Sequence, residues 1–132
     1  MHRAVTPYLI IDGAAEAIDW YTRVFGAEEV TRMTGGAGRI SHAKLRIGPS
    51  SIFVADEHPH YEGIVGPERI GGTPVYLDHE TDDVAAAFDA AVAAGATPIR
   101  EPTDPSLPVQ SAKVRDPFGH VWLITRSSET TS

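Results

Sequence analysis

Val5-Thr6-Pro7-Tyr8-Leu9-Ile10-Ile11 runs through Asp12-Gly13 into Ala14-Ala15-Glu16-Ala17-Ile18-Asp19-Trp20-Tyr21-Thr22-Arg23-Val24-Phe25-Gly26-Ala27. The stretch reads as a strand, a cap, a helix and a stop. The first seven residues are rich in β-formers. Asp12 is the expected N-cap, Ala15, Ile18, Tyr21 and Phe25 recur at helical spacing, and Gly26 supplies the left-handed residue on which helices end.

Three short β-like runs follow: Glu28 to Thr34, Ile40 to Ile47, and Ser51 to Asp56. In Ser41-His42-Ala43-Lys44-Leu45-Arg46-Ile47 polar and apolar residues alternate from His42 onward, which marks a strand with one face on a core. Ala43, Leu45 and Ile47 point one way, and His42, Lys44 and Arg46 the other. If Gly48-Pro49 turns a hairpin that pairs Ile47 with Ser50, Phe53 falls opposite Lys44 and Ala55 opposite His42, all on the face away from the helix. The Gly35-Gly36-Ala37-Gly38 run lies between strands with no helix after it, so it reads as a flexible hairpin rather than a phosphate loop.

The second half repeats the order about 70 residues later. Thr73-Pro74-Val75-Tyr76-Leu77-Asp78 echoes the first strand. Asp82-Asp83 can cap a helix from Val84 to Ala94 that stops at Gly95-Ala96, and Thr97 to Glu101, Gln110 to Arg115 and His120 to Arg126 supply three more strands. The reading is one domain: module one at 4–57, a linker at 58–72, module two at 73–126 and a polar, frayed tail at 127–132. The linker, rich in Gly, Pro, His and charge, is either a solvated connection or a flap over a pocket mouth.

The chain has 132 residues, 42% of them hydrophobic, which suits one compact core. Zero cysteines exclude disulfides, thiolate metal sites and thiol nucleophiles. A net charge of -7, with 11 scattered Lys and Arg, argues against nucleic acid as a partner. No apolar run reaches the roughly 20 residues of a membrane helix and Met1-His2-Arg3-Ala4 starts no secretory signal, so neither membrane insertion nor export is expected, and the expected location is the cytoplasm.

The segment Gly13 to Ala27 and the turn Asp116-Pro117-Phe118-Gly119-His120-Val121-Trp122 resemble the vicinal oxygen chelate superfamily, which contains glyoxalase I, extradiol dioxygenases, fosfomycin-resistance enzymes and bleomycin-binding proteins. The resemblance covers residues 4 to 126, and the Asp-Pro-Phe-Gly-His turn is its most specific part. It implies an α+β fold in which two βαβββ modules form curved mixed sheets around a cavity, with helices outside. It also implies a homodimer.

In metal-dependent members of that superfamily the ligands, usually His and Glu, sit on the first and fourth strands of each module. The corresponding positions here are Thr6, Phe53, Tyr76 and Leu123. None carries an imidazole or a carboxylate, and a slip of one residue in register brings in no ligand either. No metal and no other cofactor is therefore expected. The expected occupant is a hydrophobic or aromatic small molecule, with a cationic group compatible with the acidic chain. The expected binding residues are Tyr8, His42, Lys44, Phe53, Tyr76, Asp78 and Leu123, and no catalytic residue is assigned. The function this implies is sequestration of a bulky, partly aromatic antibiotic or natural product. The alternatives are a glyoxalase- or dioxygenase-like metalloenzyme with a rearranged site at His42, and a metal-free isomerase using His42 or Asp78.

Overall fold

The computed structural model describes residues 1–127; of the expected polar tail, Ser127 ends a strand and 128–132 lie outside the described residues. The chain forms two compact units, Met1–Gly71 and Gly72–Ser132. Each has the βαβββ order that the repeat predicts. The segment 58–71, expected as a linker, belongs to the first unit.

In the first unit β1 (Tyr8–Ile11), α1 (Ala14–Phe25), β2 (Glu28–Thr34), β3 (Ile40–Ile47) and β4 (Ser50–Asp56) give a sheet in the order β1-β4-β3-β2. β1 runs parallel to β4, and the other neighbours are antiparallel. The hairpin register is the expected one, with Ile47 opposite Ser50 and Lys44 opposite Phe53. Alternation then places Leu9, Ile11, Ala43, Leu45, Ile52 and Val54 on the face that α1 covers, all of them buried. Tyr8, His42, Lys44 and Phe53 fall on the other face.

The helix meets the sheet through Ala14, Ala17, Ile18, Tyr21 and Phe25. Ala15, expected in this stripe, faces out, and Trp20 is buried in its stead. The small Ala14 and Ala17 allow close approach while Ile18 and Tyr21 fill the core, each contributing about 2 kcal/mol by burial. Gly26 ends the helix in the left-handed region at φ 69°, as its position predicts.

The start of α1 differs from expectation. Asp12 is exposed and does not cap. Its place is taken by Asp56 at the end of β4, whose Oδ1 accepts from the amides of Gly13 (3.2 Å) and Ala14 (2.9 Å) and whose Oδ2 accepts from Ile40 N (2.7 Å). Gly13 has φ 96°, so the chain turns too sharply into the helix for the preceding side chain to cap it. The acceptor comes instead from a residue 42 positions away from Ala14 in sequence.

The second unit contains β5 (Tyr76–Glu80), α3 (Val84–Ala93), β6 (Thr97–Arg100), β7 (Val109–Arg115) and β8 (Val121–Ser127) in the order β5-β8-β7-β6. Asp83 caps α3 as expected, accepting from Ala86 N at 3.0 Å. Both first strands begin later than the β-rich runs suggest, after Pro7 and Pro74, which lack the N–H a ladder needs. The Asp-Pro-Phe-Gly-His turn is organised by buried Asp116: Oδ1 accepts from Phe118 N (2.9 Å) and His120 N (3.0 Å), and Oδ2 from Trp122 Nε1 (2.9 Å).

Candidate functional site

The open face of the first sheet carries an aromatic cluster. Tyr8 and Phe53 are paired in register across β1 and β4, with ring centroids 5.4 Å apart. His42 packs 4.8 Å from Phe53, and its Nδ1 lies 2.8 Å from the Tyr8 hydroxyl. Tyr8 is 46% exposed, so part of its ring remains available to a ligand. Lys44 is opposite Phe53 on the same face.

A cavity of about 600 Å³ adjoins this cluster, within the first unit. Tyr8, Ile10 and Ala55 of the sheet form one wall, and Gly35, Gly36 and Arg39 from the β2–β3 connection, with Ile40 and Ser41 at the start of β3, form another. The third is the strap that follows β4, through His58, Tyr61 and Ile64. A volume of this order suits a drug-sized ligand, and most of its lining is apolar.

Two devices hold the mobile-looking sequences in place. The glycine run, expected to be a flexible hairpin, is a single 3-10 turn at Gly36–Gly38, closed by Gly35 N on Arg39 O at 2.7 Å. The strap is fixed by Glu57, a buried carboxylate. Its Oε2 accepts from Gly66 N at 2.6 Å, and its Oε1 accepts from Arg69 Nη2 at 2.8 Å and Nε at 3.2 Å. Arg69's hydrogen bonds, with the Gly66 amide, hold the Glu57 carboxyl below the usual glutamate range despite its burial. The Arg39 guanidinium donates to the Glu57 carbonyl, which ties the β2–β3 connection to the root of the strap.

Within the strap, His58 N donates to Ile64 O at 2.8 Å, and a single turn of helix, α2 (Pro67–Ile70), follows. Gly66 presses against β1. A Cβ there would stand 2.8 Å from Ile10 O, closer than real contacts allow. The segment is thus anchored at Gly66 and Arg69 and borders the cavity through His58, Tyr61 and Ile64, while most of its residues stay exposed.

The expected binding residues divide between the units. Tyr8, His42, Lys44 and Phe53 share the open face of the first sheet; among these, Tyr8 lines the cavity. Tyr76, Asp78 and Leu123 share one face of the second sheet. There Lys113 Nζ sits 4.4 Å from the centre of the Tyr76 ring, Asp78 accepts from Thr125 Oγ1 at 2.6 Å, and Leu123 lies between Asp78 and Lys113 in register. Ile10, Arg39, Ser41, Ala55, Tyr61 and Ile64 were not identified from sequence as lining residues. For Ile10 and Ala55 the strand alternation carried the signal; for Ser41 at the start of β3 and for the loop residues no local pattern exists.

The four residues that the resemblance sets at the metal positions do not fit a divalent ion. Phe53 and Leu123 offer hydrocarbon, Thr6 a neutral hydroxyl, and the Tyr76 ring is covered by an ammonium. Among the described residues no three His, Asp or Glu side chains converge as a metal set.

The sequence profile of the Glyoxalase/Bleomycin resistance protein/Dioxygenase superfamily matches residues 2–124. The uncharacterized protein Mb0911c of Mycobacterium bovis is 39% identical over 123 residues, covering 92% of this chain and 81% of the relative. Rv0887c of Mycobacterium tuberculosis is 39% identical over the same length, covering 92% and 72%. Among solved structures, TioX from Micromonospora sp. ML1 is similar with a TM-score of 0.69 at 27% identity, over 98% of this chain and 100% of that one. PA1353 from Pseudomonas aeruginosa shares the fold with a TM-score of 0.74 at 21% identity, over 96% and 98%. The match runs through both βαβββ units and includes the turn that Asp116 organises, and the chain therefore belongs to the glyoxalase/bleomycin resistance protein/dioxygenase superfamily.

Proposed function

We propose that this protein is a metal-independent small-molecule binder that sequesters a bulky, partly aromatic antibiotic or natural product without turning it over. The observation that carries the reading is the 600 Å³ cavity beside the Tyr8, His42 and Phe53 cluster, in a chain whose inherited ligand positions hold Thr6, Phe53, Tyr76 and Leu123. An aromatic ring bound there loses water from both its faces, and the Tyr8–His42 hydrogen bond fixes the ring it stacks on. Sequestration needs affinity and copy number alone, since binding lowers the free concentration of a toxin by mass action. The protein acts in the cytoplasm in this reading, as a homodimer with two equivalent sites, and the face carrying Tyr76, Asp78 and Leu123 contributes contacts of its own.

Calorimetric titration of chelator-treated protein against glycopeptide, peptide and polyaromatic antibiotics tests the reading, together with survival of sensitive cells expressing the chain. Micromolar binding without added metal is the expected result. Failure of every compound below millimolar concentration, or binding that appears only with a divalent metal, overturns it. Sedimentation of the same sample measures the oligomeric state.

A further inference from the structure

Resting on that reading, we infer that the cavity of the first unit selects ligands bearing an anionic group, a carboxylate or its like, beside the aromatic body, with Arg39 as the residue that receives it. The charge balance of the lining supports this. Two carboxylates and one guanidinium border the cavity: Asp56, Glu57 and Arg39. Both carboxylates are already committed. Asp56 accepts from three backbone amides, those of Gly13, Ala14 and Ile40, and it stands at the N-terminus of α1, whose partial positive charge offsets its own. Glu57 is satisfied by Gly66 N and by the Arg69 guanidinium.

Arg39 is in the opposite condition. Among the described residues the ion pairs are Arg32 with Glu29 and Arg69 with Glu57, so no carboxylate lies within 4.0 Å of the Arg39 guanidinium. Its side chain donates to one backbone carbonyl, that of Glu57. A guanidinium has five N–H donors in a planar fork, so it keeps the capacity for a second, bidentate partner. The bond to the Glu57 carbonyl fixes its position on the wall in advance. The cavity thus presents a guanidinium with spare N–H donors, which Glu57 feels electrostatically without pairing with it, among the apolar side chains of Ile10, Ile40, Ala55 and Ile64 and the ring of Tyr61. The acidity of the whole chain is compatible with a cationic ligand; the local arrangement points the other way, because Asp56 and Glu57 are held by backbone amides and Arg69 while Arg39 keeps spare donors.

Three probes with one ring system separate the possibilities: 2-naphthoate, neutral 2-naphthamide and cationic 2-naphthylmethylammonium, titrated at pH 7.5 by ligand-observed NMR and calorimetry. Naphthoate is expected to bind about tenfold more tightly than the amide, with the ammonium weakest. Arg39→Gln should bring naphthoate down to the level of the amide measured in the same variant, and Arg39→Lys should restore part of the preference. The ranking in the unaltered protein stands as a measurement by itself if Arg39→Gln does not fold. Equal affinity for the three probes overturns the anion selectivity and leaves the binder reading standing. The ammonium as tightest ligand, or a naphthoate preference that survives in folded Arg39→Gln, also overturns it. Failure of all three to bind removes the anion selectivity, and the antibiotic titration decides the binder reading independently.

Discussion

Replacing Asp56 by alanine should destabilise the first unit more than any other single change of an exposed or half-buried residue in it. The structure sets the magnitude. Two of its three hydrogen bonds, to Gly13 N and Ala14 N, cap α1, and a lost cap costs about 1 kcal/mol. The third serves the amide of Ile40, a residue only 1% exposed, and an orphaned buried N–H costs about 1–3 kcal/mol. The sum is about 3 kcal/mol, which for a chain of 132 residues lowers Tm by about 10 °C. Thermal and urea unfolding followed by circular dichroism measure it, with the m-value expected to stay constant. Asp56→Asn keeps one acceptor oxygen and should cost about half as much. Asp12→Ala, at the residue that sequence alone nominates as the cap, should change stability by less than about 0.5 kcal/mol. Equal costs at Asp12 and Asp56, or a loss below about 1 kcal/mol at Asp56, would refute the assignment of the cap.

Gly66→Ala adds one methyl that must displace Ile10 O, so the strap should lift from β1 and binding at the cavity should weaken about tenfold, read by titration, with a stability loss of about 1–3 kcal/mol. The Glu57 carboxyl is held low chiefly by Arg69, so its contribution to stability is present above about pH 4.5 and is lost as pH falls through its depressed value; urea midpoints between pH 3 and 6 should fall less steeply in Glu57→Gln than in the parent. In the second unit, Asp116→Asn sets an amide N–H₂ against either Trp122 Nε1 or the Phe118 and His120 amides, at about 2 kcal/mol. Combining it with Trp122→Phe should cost less than the sum of the single changes, and strict additivity in the double-mutant cycle would remove the coupling.

The sequence by itself determined the plan of each unit. Strict alternation from His42 to Ile47 settled which side chains share a face and, with the Gly48-Pro49 turn, the register that sets Lys44 against Phe53. Gly26 and Asp83 marked helix ends through chemistry that acts within one turn of chain, and the same local rules applied twice exposed the repeat. Tertiary structure decided what depended on partners distant in sequence. The α1 cap came from Asp56 rather than Asp12, because the turn at Gly13 carries the helix start to the end of β4. The strap is anchored because Glu57 holds Gly66 and Arg69, and a carboxylate's choice of partners leaves no periodic trace. The cavity and its unpaired Arg39 follow from those same contacts: local patterning orients a side chain toward a face, whereas the fold alone determines what else arrives there and which charges are already satisfied.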